Sequence, residues 1–238
     1  MFDEHFEAVL ADSEEGRRIH FRLRYQVYCE ETGFEDPAIY PDGMERDEWD
    51  PYSVHFLVRL RRTGEWIAAM RVVLPEAPDF PVERQCELRQ REVRALPREA
   101  TAEVSRLCMV SHFRRRGPEQ DHPYELGDLP IRGLAGFMRG RERRREPEIL
   151  LGLLRAARAY SREHRIHHWY LLVTPPLTRI LRRVGIHLER VGPLCLHRGK
   201  RYPFLADLHR EEARLGDSSC RITQMLDREP PYLLFSDL

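Results

Sequence analysis

The sequence lacks an excess of either charge, a cysteine framework and any long apolar segment. Lys+Arg and Asp+Glu both number 39 in 238 residues, which argues against a dedicated nucleic-acid-binding protein, since those usually carry a large basic excess. The cysteines number five and form no CxxC, so neither a disulfide framework nor a zinc ribbon is indicated, and a reducing compartment fits best. No apolar run approaches the roughly 18 residues of a membrane span, and the acidic N-terminal segment does not resemble a signal peptide. We expect a cytoplasmic protein with no membrane span and no nucleic-acid partner.

Nucleotide and metal signatures are missing as well. The chain contains neither GxGxxG nor GxxxxGK[ST], so a dinucleotide or P-loop site has no support. His164, His167 and His168 lie close together but without a carboxylate motif such as HExxH, and we expect no metal site.

The hydrophobic periodicity predicts an α/β chain. A helix over 13–31 begins at Ser13, a favourable N-cap, and a hairpin follows because two apolar segments flank the turn-forming residues 62–65. The predicted strands are 55–61, 66–74, 101–110, 168–173, 186–191, 194–197 and 202–205, and the later helices are 149–164 and 176–184. This order favours a single domain over 1–238 with a central mixed sheet rather than a Rossmann repeat. A polar insertion at about 111–147 and an extension from about 207, helical and then a tail, complete the prediction.

Unusual polar residues occur in four places along the first 110 residues. They are Arg24, Tyr28 and Phe34; Asp47 and Asp50; Arg71; and Glu103, Ser105 and Arg106. Taken singly, each is more often a structural ion pair or a turn residue than part of a site. Glu103 and Arg106 are harder to dismiss, because charges inside an apolar strand are rarely buried unless paired. Strict alternation puts them on opposite faces, so a shared site requires a β-bulge between them.

The set, in this order and approximate spacing, resembles the signature of the acyl-homoserine-lactone synthases, the autoinducer synthases of quorum sensing. Phe34 stands where those synthases usually have Trp. The segments RYQVYCEETGFE and EVSRLCMVSHFRRR look more like a sister group, the N-acyl amino acid synthases and the PEP-CTERM/exosortase-associated acyltransferases.

The resemblance implies a GNAT-like (acyl-CoA N-acyltransferase-like) fold, with a mixed sheet flanked by helices and splayed between strands 101–110 and 168–173. The implied chemistry is aminolysis: an acceptor amine attacks an acyl thioester lying in the gap. Glu103 is the candidate base, and backbone N–H groups near Leu107 to Val110 are candidate oxyanion donors. Arg24, Asp47, Asp50, Arg71 and Arg106 either bind the charged groups of the acceptor or brace the N-terminal loop over the site.

Other residues are expected to line the substrate site. They are Tyr28, Phe34, Ser105, Leu107, Cys108 and Met109. Cys108 is a poor candidate for a nucleophile, because no His–acid pair is evident beside it and free cysteines usually pack as small hydrophobes.

Two sets of basic residues are candidates for binding the acyl donor or its carrier. Arg114, Arg115 and Arg116 precede Gly117, where GNAT enzymes bind pyrophosphate, but Pro118 and Glu119 break the full RxxGxG/A form, which weakens the case for coenzyme A. On the predicted helix 149–164, Arg155, Arg158 and Arg162 form a stripe. That stripe is either a docking surface for the acidic acyl carrier protein or a solvated helix face.

The sequence therefore predicts an N-acyltransferase that transfers a long-chain acyl group from acyl carrier protein, on phosphopantetheine, to an amino acid or similar small amine, with no permanently bound cofactor. Three alternatives remain: a homoserine-lactone synthase using S-adenosylmethionine, a catalytically silent module that binds a carrier protein, and a coenzyme A-dependent acetyltransferase acting on a protein amine.

Overall fold

The computed structural model describes residues 2–89, 96–113, 146–183, 185–209 and 230–238. Nearly all of the predicted insertion lies outside these residues, as do Arg114, Arg115 and Arg116 and most of the extension from 207. None of the helices in the described part is long and apolar enough to cross a membrane.

A mixed sheet forms the centre of the molecule. Within the described residues it has nine strands, in the order β6-β8-β5-β4-β3-β2-β1-β9, with β7 pairing separately with β8. The strands are β1 Phe6–Leu10, β2 Ser53–Leu60, β3 Trp66–Val73, β4 Thr101–Met109, β5 His168–Val173, β6 Leu188–Arg190, β7 Cys195–Leu196, β8 Lys200–Asp207 and β9 Leu233–Leu234. The predicted strands are all present, displaced by at most a few residues at their ends.

Helices flank this sheet. They are α1 Phe2–His5, α2 Glu14–Tyr25, α3 Pro81–Gln85, α4 Glu146–Glu163 and α5 Pro175–Arg183. Helix α2 packs against β3, and α4 packs against β1 and β2. The Ser13 side chain accepts the Gly16 N–H at 3.1 Å, as predicted for an N-cap, and α2 continues as a π-helix over Gln26–Glu31. The α/β prediction is confirmed.

The sheet splays open between β4 and β5. These strands pair in parallel only from Thr101 with His168 to Val104 with Leu171. Beyond that point β4 continues along β3, while β5 stays paired with β8 as far as Val173. The predicted splay is therefore present, and it opens two residues after Glu103.

A β-bulge interrupts β4 at the splay. Arg71 pairs with Ser105 but Ala69 pairs with Cys108, so β4 has one extra residue in this interval. Arg106 has φ 51°, in the left-handed region that bulge residues adopt. Because of the extra residue, the Arg106 side chain reaches Asp47, a carboxylate that Arg71 also binds. The bulge that the sequence argument required is present.

The sequence analysis did not predict two strands at one edge of the sheet, β1 and β9. The sequence analysis assigned no strand to β1 and expected a tail at the end of the chain. Instead Val9 and Leu10 pair in parallel with Leu233 and Leu234 of β9. A two-residue strand has too little periodicity to predict, and its position depends on a partner more than 200 residues away.

Candidate functional site

Buried ion pairs connect α2 to the loop before β2. The Arg24 guanidinium, fully buried, donates to Asp50 Oδ1 at 2.6 Å and also pairs with Glu45. His55 Nε2 contacts the same Asp50 oxygen at 3.1 Å. Asp50 also accepts the Asp47 N–H at 2.7 Å, so this carboxylate fixes the loop as well as the helix.

The same loop is tied to the central strands. Arg71 on β3 donates to Asp50 at 2.9 Å, pairs with Asp47 and donates to Ser105 Oγ at 3.2 Å. Arg106, from the bulge, donates to Asp47 at 2.8 Å. It also donates to Glu45 at 3.0 Å. One network thus joins Arg24, Arg71 and Arg106 to Glu45, Asp47 and Asp50.

The network is ionised and internally neutral. Burial opposes ionisation of Asp50, but Arg24, the His55 hydrogen bond and Arg71 outweigh it and hold the pKa of that carboxyl well below its usual range. Burial likewise opposes ionisation of Glu45, and Arg24 and Arg106 keep its pKa lowered. Three arginines face three carboxylates, so the pairing offsets the desolvation of each charge. This geometry is that of a brace holding the 45–50 loop over β3 and β4.

Glu103 stands apart from this network. It is 2 % exposed, and one of its carboxylate oxygens accepts the Val82 N–H at 2.8 Å, near the start of α3. Burial raises its pKa to about 8, although the Val82 hydrogen bond, Arg71 and Arg106 pull it back. The carboxyl therefore changes protonation state just above neutral pH.

A cleft opens where β4 and β5 diverge. Its cavity volume is about 80 Å³, and it is partly open to solvent. Glu103, Ser105, Arg106, Leu107 and Tyr28 all lie on its wall. The apolar part of the lining comes from β5 and helices α4 and α5, through Leu150, Leu154, Leu171, Leu172, Leu177 and Leu181. The cleft thus combines a titratable carboxyl with a lining suited to an acyl chain.

The predicted substrate-binding residues fall into two groups. Tyr28, Ser105 and Leu107 line the cleft, and the Tyr28 hydroxyl donates to the Leu107 carbonyl at 3.2 Å. Cys108 and Met109 are 3 % and 1 % exposed and pack in the main core. The structure does not bring them to the cleft, because the residues after the bulge pair with β3.

Two other expectations need adjustment. Phe34 packs beside the Tyr28 ring, with the centroids 6.5 Å apart, and does not itself line the cleft in the described residues. The Val110 N–H donates to the Ile67 carbonyl at 3.0 Å, so it is not free to stabilise an oxyanion. Leu107 lies within the register shift, and its N–H stays the best-placed candidate.

The predicted basic stripe on α4 is largely buried. Arg155 is 4 % exposed and forms a forked pair with Asp3, at 2.6 and 3.1 Å. Arg158 is 9 % exposed, whereas Arg162 is exposed. Arg155 and Arg158 are therefore corrected from docking residues to core-facing ones, because the N-terminal α1 and β1 cover that face of α4.

Sequence reasoning missed several residues of the site. Glu45 and His55 belong to the buried network. Glu45 lies in the polar segment that contains Asp47 and Asp50, and His55 begins a predicted strand, but neither was assigned a role from the sequence. His197, Arg198 and Arg201 line the cleft from the β7–β8 hairpin. Nothing in their spacing connects them to residues 24–106, because only the sheet brings them together. In the described residues, no cluster of His, Cys, Asp and Glu has the arrangement of a metal site.

Comparison with known proteins agrees with this geometry. A family model described as the acetyltransferase (GNAT) domain matches residues 23–120, the segment that contains the ion network, Glu103 and the bulge. This segment, less than half of the chain, is similar to a GNAT domain. No curated protein sequence matches the chain.

Solved structures extend the likeness to almost the whole chain. BjaI, a CoA-dependent acyl-homoserine lactone synthase solved with SAM and isopentyl-CoA, has TM-score 0.63 and 16% identity, covering 97% of this chain and 92% of its own. The AHL synthase LasI has TM-score 0.54 and 17% identity, covering 86% and 90%. FeeM, an N-acyl amino acid synthase from uncultured soil microbes, has TM-score 0.55 and 12% identity, covering 88% and 93%. At these identities the likeness establishes the GNAT-like fold, and with the domain match it supports an acyltransferase.

Proposed function

We propose that this protein is an N-acyltransferase that joins a fatty acyl group from an acyl carrier protein thioester to the amine of a small amino acid acceptor. The observation that carries the proposal is Glu103, a buried carboxyl whose pKa is raised to about 8, on the wall of the cleft between the diverging strands. A silent binding module would have no need of such a group at that position.

The chemistry follows from the placement of Glu103. An acceptor amine enters as an ammonium group. With a pKa of about 8 the ionised Glu103 is a stronger base than an ordinary carboxylate, so in the molecules where Glu103 is ionised it takes this proton at a lower cost in free energy. The neutral amine then attacks the thioester carbonyl carbon and forms the C–N bond. The C–S bond breaks, and the leaving thiolate takes up the second proton, which the nitrogen loses as the amide forms. A backbone N–H at the bulge, with Leu107 the candidate, stabilises the oxyanion.

The apolar lining of the cleft provides a binding surface for the acyl chain of the donor. Leucines from β5, α4 and α5 line the same cleft as Glu103, and burial of each methylene contributes roughly 0.8 kcal/mol. Acyl carrier protein is the proposed carrier because it is acidic, and the described surface offers exposed cations such as Arg162 and Arg165 at the end of α4.

A purified-enzyme assay tests the proposal. The protein is incubated with acyl carrier protein thioesters and a mixture of amino acids, and products are identified by mass spectrometry. We expect N-acyl amino acids, with kcat/KM lower by about 10²–10⁴-fold in Glu103→Gln, because the base is lost. Glu99→Gln, an exposed carboxyl four residues earlier, is the matched control and should retain activity. An active Glu103→Gln enzyme would overturn the role of Glu103.

A homoserine-lactone synthase is the second candidate. The observation that favours it is the likeness to BjaI over 97% of the chain. The same assay with S-adenosylmethionine as acceptor distinguishes the two, because an acyl-homoserine lactone would then form in place of an N-acyl amino acid. Replacing the carrier thioester by acyl-coenzyme A identifies the donor.

A further inference from the structure

The short helix α3 holds the carboxyl of Glu103. Pro81 is the first residue of this helix and has no backbone N–H, so Val82 provides the first free donor. That N–H donates to Glu103 Oε2 at 2.8 Å. Among the residues that the structure describes, no other donor contacts this carboxyl, which leaves Oε1 without a hydrogen bond.

Arg98 fastens the segment that leads into α3. It lies in the turn directly before β4. Its guanidinium donates to the Pro75 and Ala77 carbonyls at 3.3 and 2.6 Å and to Glu83 at 3.1 Å. The same Glu83 oxygen accepts the Phe80 N–H at 2.7 Å. One cation therefore ties residues 75–83 to the start of the strand that carries Glu103.

Phe80 fixes the start of α3 against the sheet. The Arg98 guanidinium lies 3.8 Å from the centre of the Phe80 ring, and Phe80 is 1 % exposed. The ring packs against Tyr170, with the centroids 5.6 Å apart, and Tyr170 is the β5 partner of Glu103. Arg98 and Phe80 together determine where the Val82 N–H lies relative to Glu103.

The protonation of Glu103 depends on this contact. Burial raises its pKa, and the Val82 hydrogen bond, which favours the ionised form, lowers it. The titratable and charged groups that face the carboxyl are Glu83 and Cys86 from α3 and its C-terminal end, Arg71 from β3, Arg106 from β4 and Tyr170 from β5. Arg71 and Arg106 are paired with the carboxylates of the 45–50 loop, so the Val82 N–H is the direct contact that stabilises the Glu103 carboxylate.

We infer that Arg98 is a positioning residue for acyl transfer: it holds residues 75–83 so that the Val82 N–H occupies one oxygen of Glu103 and leaves the other to accept the proton of the acceptor amine. The use of Glu103 as the base rests on the proposed function, whereas the link from Arg98 to the Glu103 carboxyl does not. Helix α3 lines the cleft through Pro81 and Gln85, and Arg98 is not among the described lining residues. Arg98 therefore acts through the backbone of α3.

Titration of the Glu103 carboxyl tests the inference. Its pKa is measured by NMR of carbon-13-labelled glutamate carboxyls, and its signal is assigned by its absence in Glu103→Gln. We expect Arg98→Gln to move the midpoint about one pH unit above that of the wild type, because a hydrogen bond to the ionised form is lost. Arg98→Lys should move it in the same direction by less, since an ammonium group retains the charge but does not reproduce the guanidinium fork.

Arg84→Gln is the matched control. Arg84 lies in the same helix and also pairs with two carboxylates, Asp79 and Glu48, on the outer surface. Its replacement should leave the Glu103 midpoint unchanged, because Arg84 makes none of the contacts that hold residues 75–83 to β4.

Kinetics provide a second measurement. In Arg98→Gln we expect kcat/KM for acyl transfer to fall by about 10-fold at pH 7, because about a tenth as many molecules then carry the ionised base. The loss should shrink above pH 8, and the KM for the thioester should stay at the wild-type value. A loss that is the same at every pH would mean that Arg98 only maintains the structure.

Three titration results would overturn the inference. They are a wild-type midpoint in folded Arg98→Gln, a wild-type midpoint in Arg98→Lys, which would mean that the charge of Arg98 acts without its contacts, and an equal change in Arg84→Gln. Thermal melts show whether Arg98→Gln is folded, and Arg98→Lys decides the question if it is not.

The titration requires no substrate, so it separates this inference from the proposed function. A raised midpoint in Arg98→Gln, in a protein that transfers no acyl group, would support the link from Arg98 to Glu103 and contradict the proposed function. Normal acyl transfer with an unchanged midpoint would contradict the inference alone.

Discussion

At the scale of single residues, Asp50 is the network residue whose substitution should lower stability most. One of its oxygens contacts Arg24, Arg71 and His55, and the carboxylate is 6 % exposed. Replacing it with Asn leaves two buried guanidinium groups without their shared anion. We expect Asp50→Asn to lower the free energy of unfolding by about 3–5 kcal/mol, measured by chemical denaturation.

The matched control is Asp42→Asn. Asp42 pairs with Arg46 on the surface, where ion pairs contribute about 0–1 kcal/mol. Equal losses in the two variants would contradict the brace that we describe.

Glu103 makes stability depend on pH. Its ordinary pKa is 4.5, and burial raises it to about 8 in the folded protein. Between these values the unfolded chain releases the proton while the folded chain retains it, so stability is full below about pH 4.5 and falls as the pH rises towards 8. The loss amounts to roughly 3–5 kcal/mol at about 1.4 kcal/mol per pKa unit.

Denaturation of the wild type and of Glu103→Gln across pH 4–9 measures this effect. The variant has no proton to lose at this site and should show a flatter profile, and the kcat/KM of the wild type should rise with an inflection near pH 8. Parallel stability profiles would show that Glu103 ionises normally.

At the scale of secondary-structure elements, the bulge on β4 depends on the left-handed conformation of Arg106. Arg106→Ala and Arg106→Gly remove the same ion pairs, but only glycine adopts φ 51° without steric cost. We therefore expect Arg106→Gly to be more stable than Arg106→Ala by about 1–2 kcal/mol, measured by chemical denaturation. The opposite order would mean that the bulge rearranges once the side chain is gone.

The bulge also marks the limit of what sequence could predict. Two charges in one apolar strand indicated that a site shared by both would need a bulge. The strand and the N-cap at Ser13 followed from local patterns, whereas the splay followed from the family resemblance. The hairpin residues His197, Arg198 and Arg201 followed from none, because only the sheet brings them to the same cleft as Glu103. Burial of Arg155 was missed for a related reason: helical periodicity does not reveal that Asp3 lies over that face.

At the scale of the whole molecule, the short strand β9 covers the edge of the sheet at β1. Phe235 stacks on Trp66 with the ring centroids 5.8 Å apart, and Ser236 bonds to Asp12. Deleting residues 230–238 exposes β1 as an unpaired edge. We expect a melting temperature several degrees lower, since about 1 kcal/mol corresponds to 2–4 °C at this size, and concentration-dependent association by light scattering.

Ser236→Ala is the control for the deletion. It removes only the hydroxyl contact with Asp12, which is exposed, and should have little effect on either measurement. A deletion variant as stable and monomeric as the full chain would show that β9 is dispensable.

Different elements hold the 45–50 loop and the β7–β8 turn in place, and this separation has an evolutionary consequence. The 45–50 loop is fixed by residues from α2, β3 and β4, whereas the β7–β8 turn reaches the cleft from the other side of the splay. Arg106 is the member of the network that also lines the cleft. Mutations in the turn therefore have a route to new substrates that leaves the brace intact, and grafting hairpins of different sequence onto this scaffold is a direct way to diversify the product.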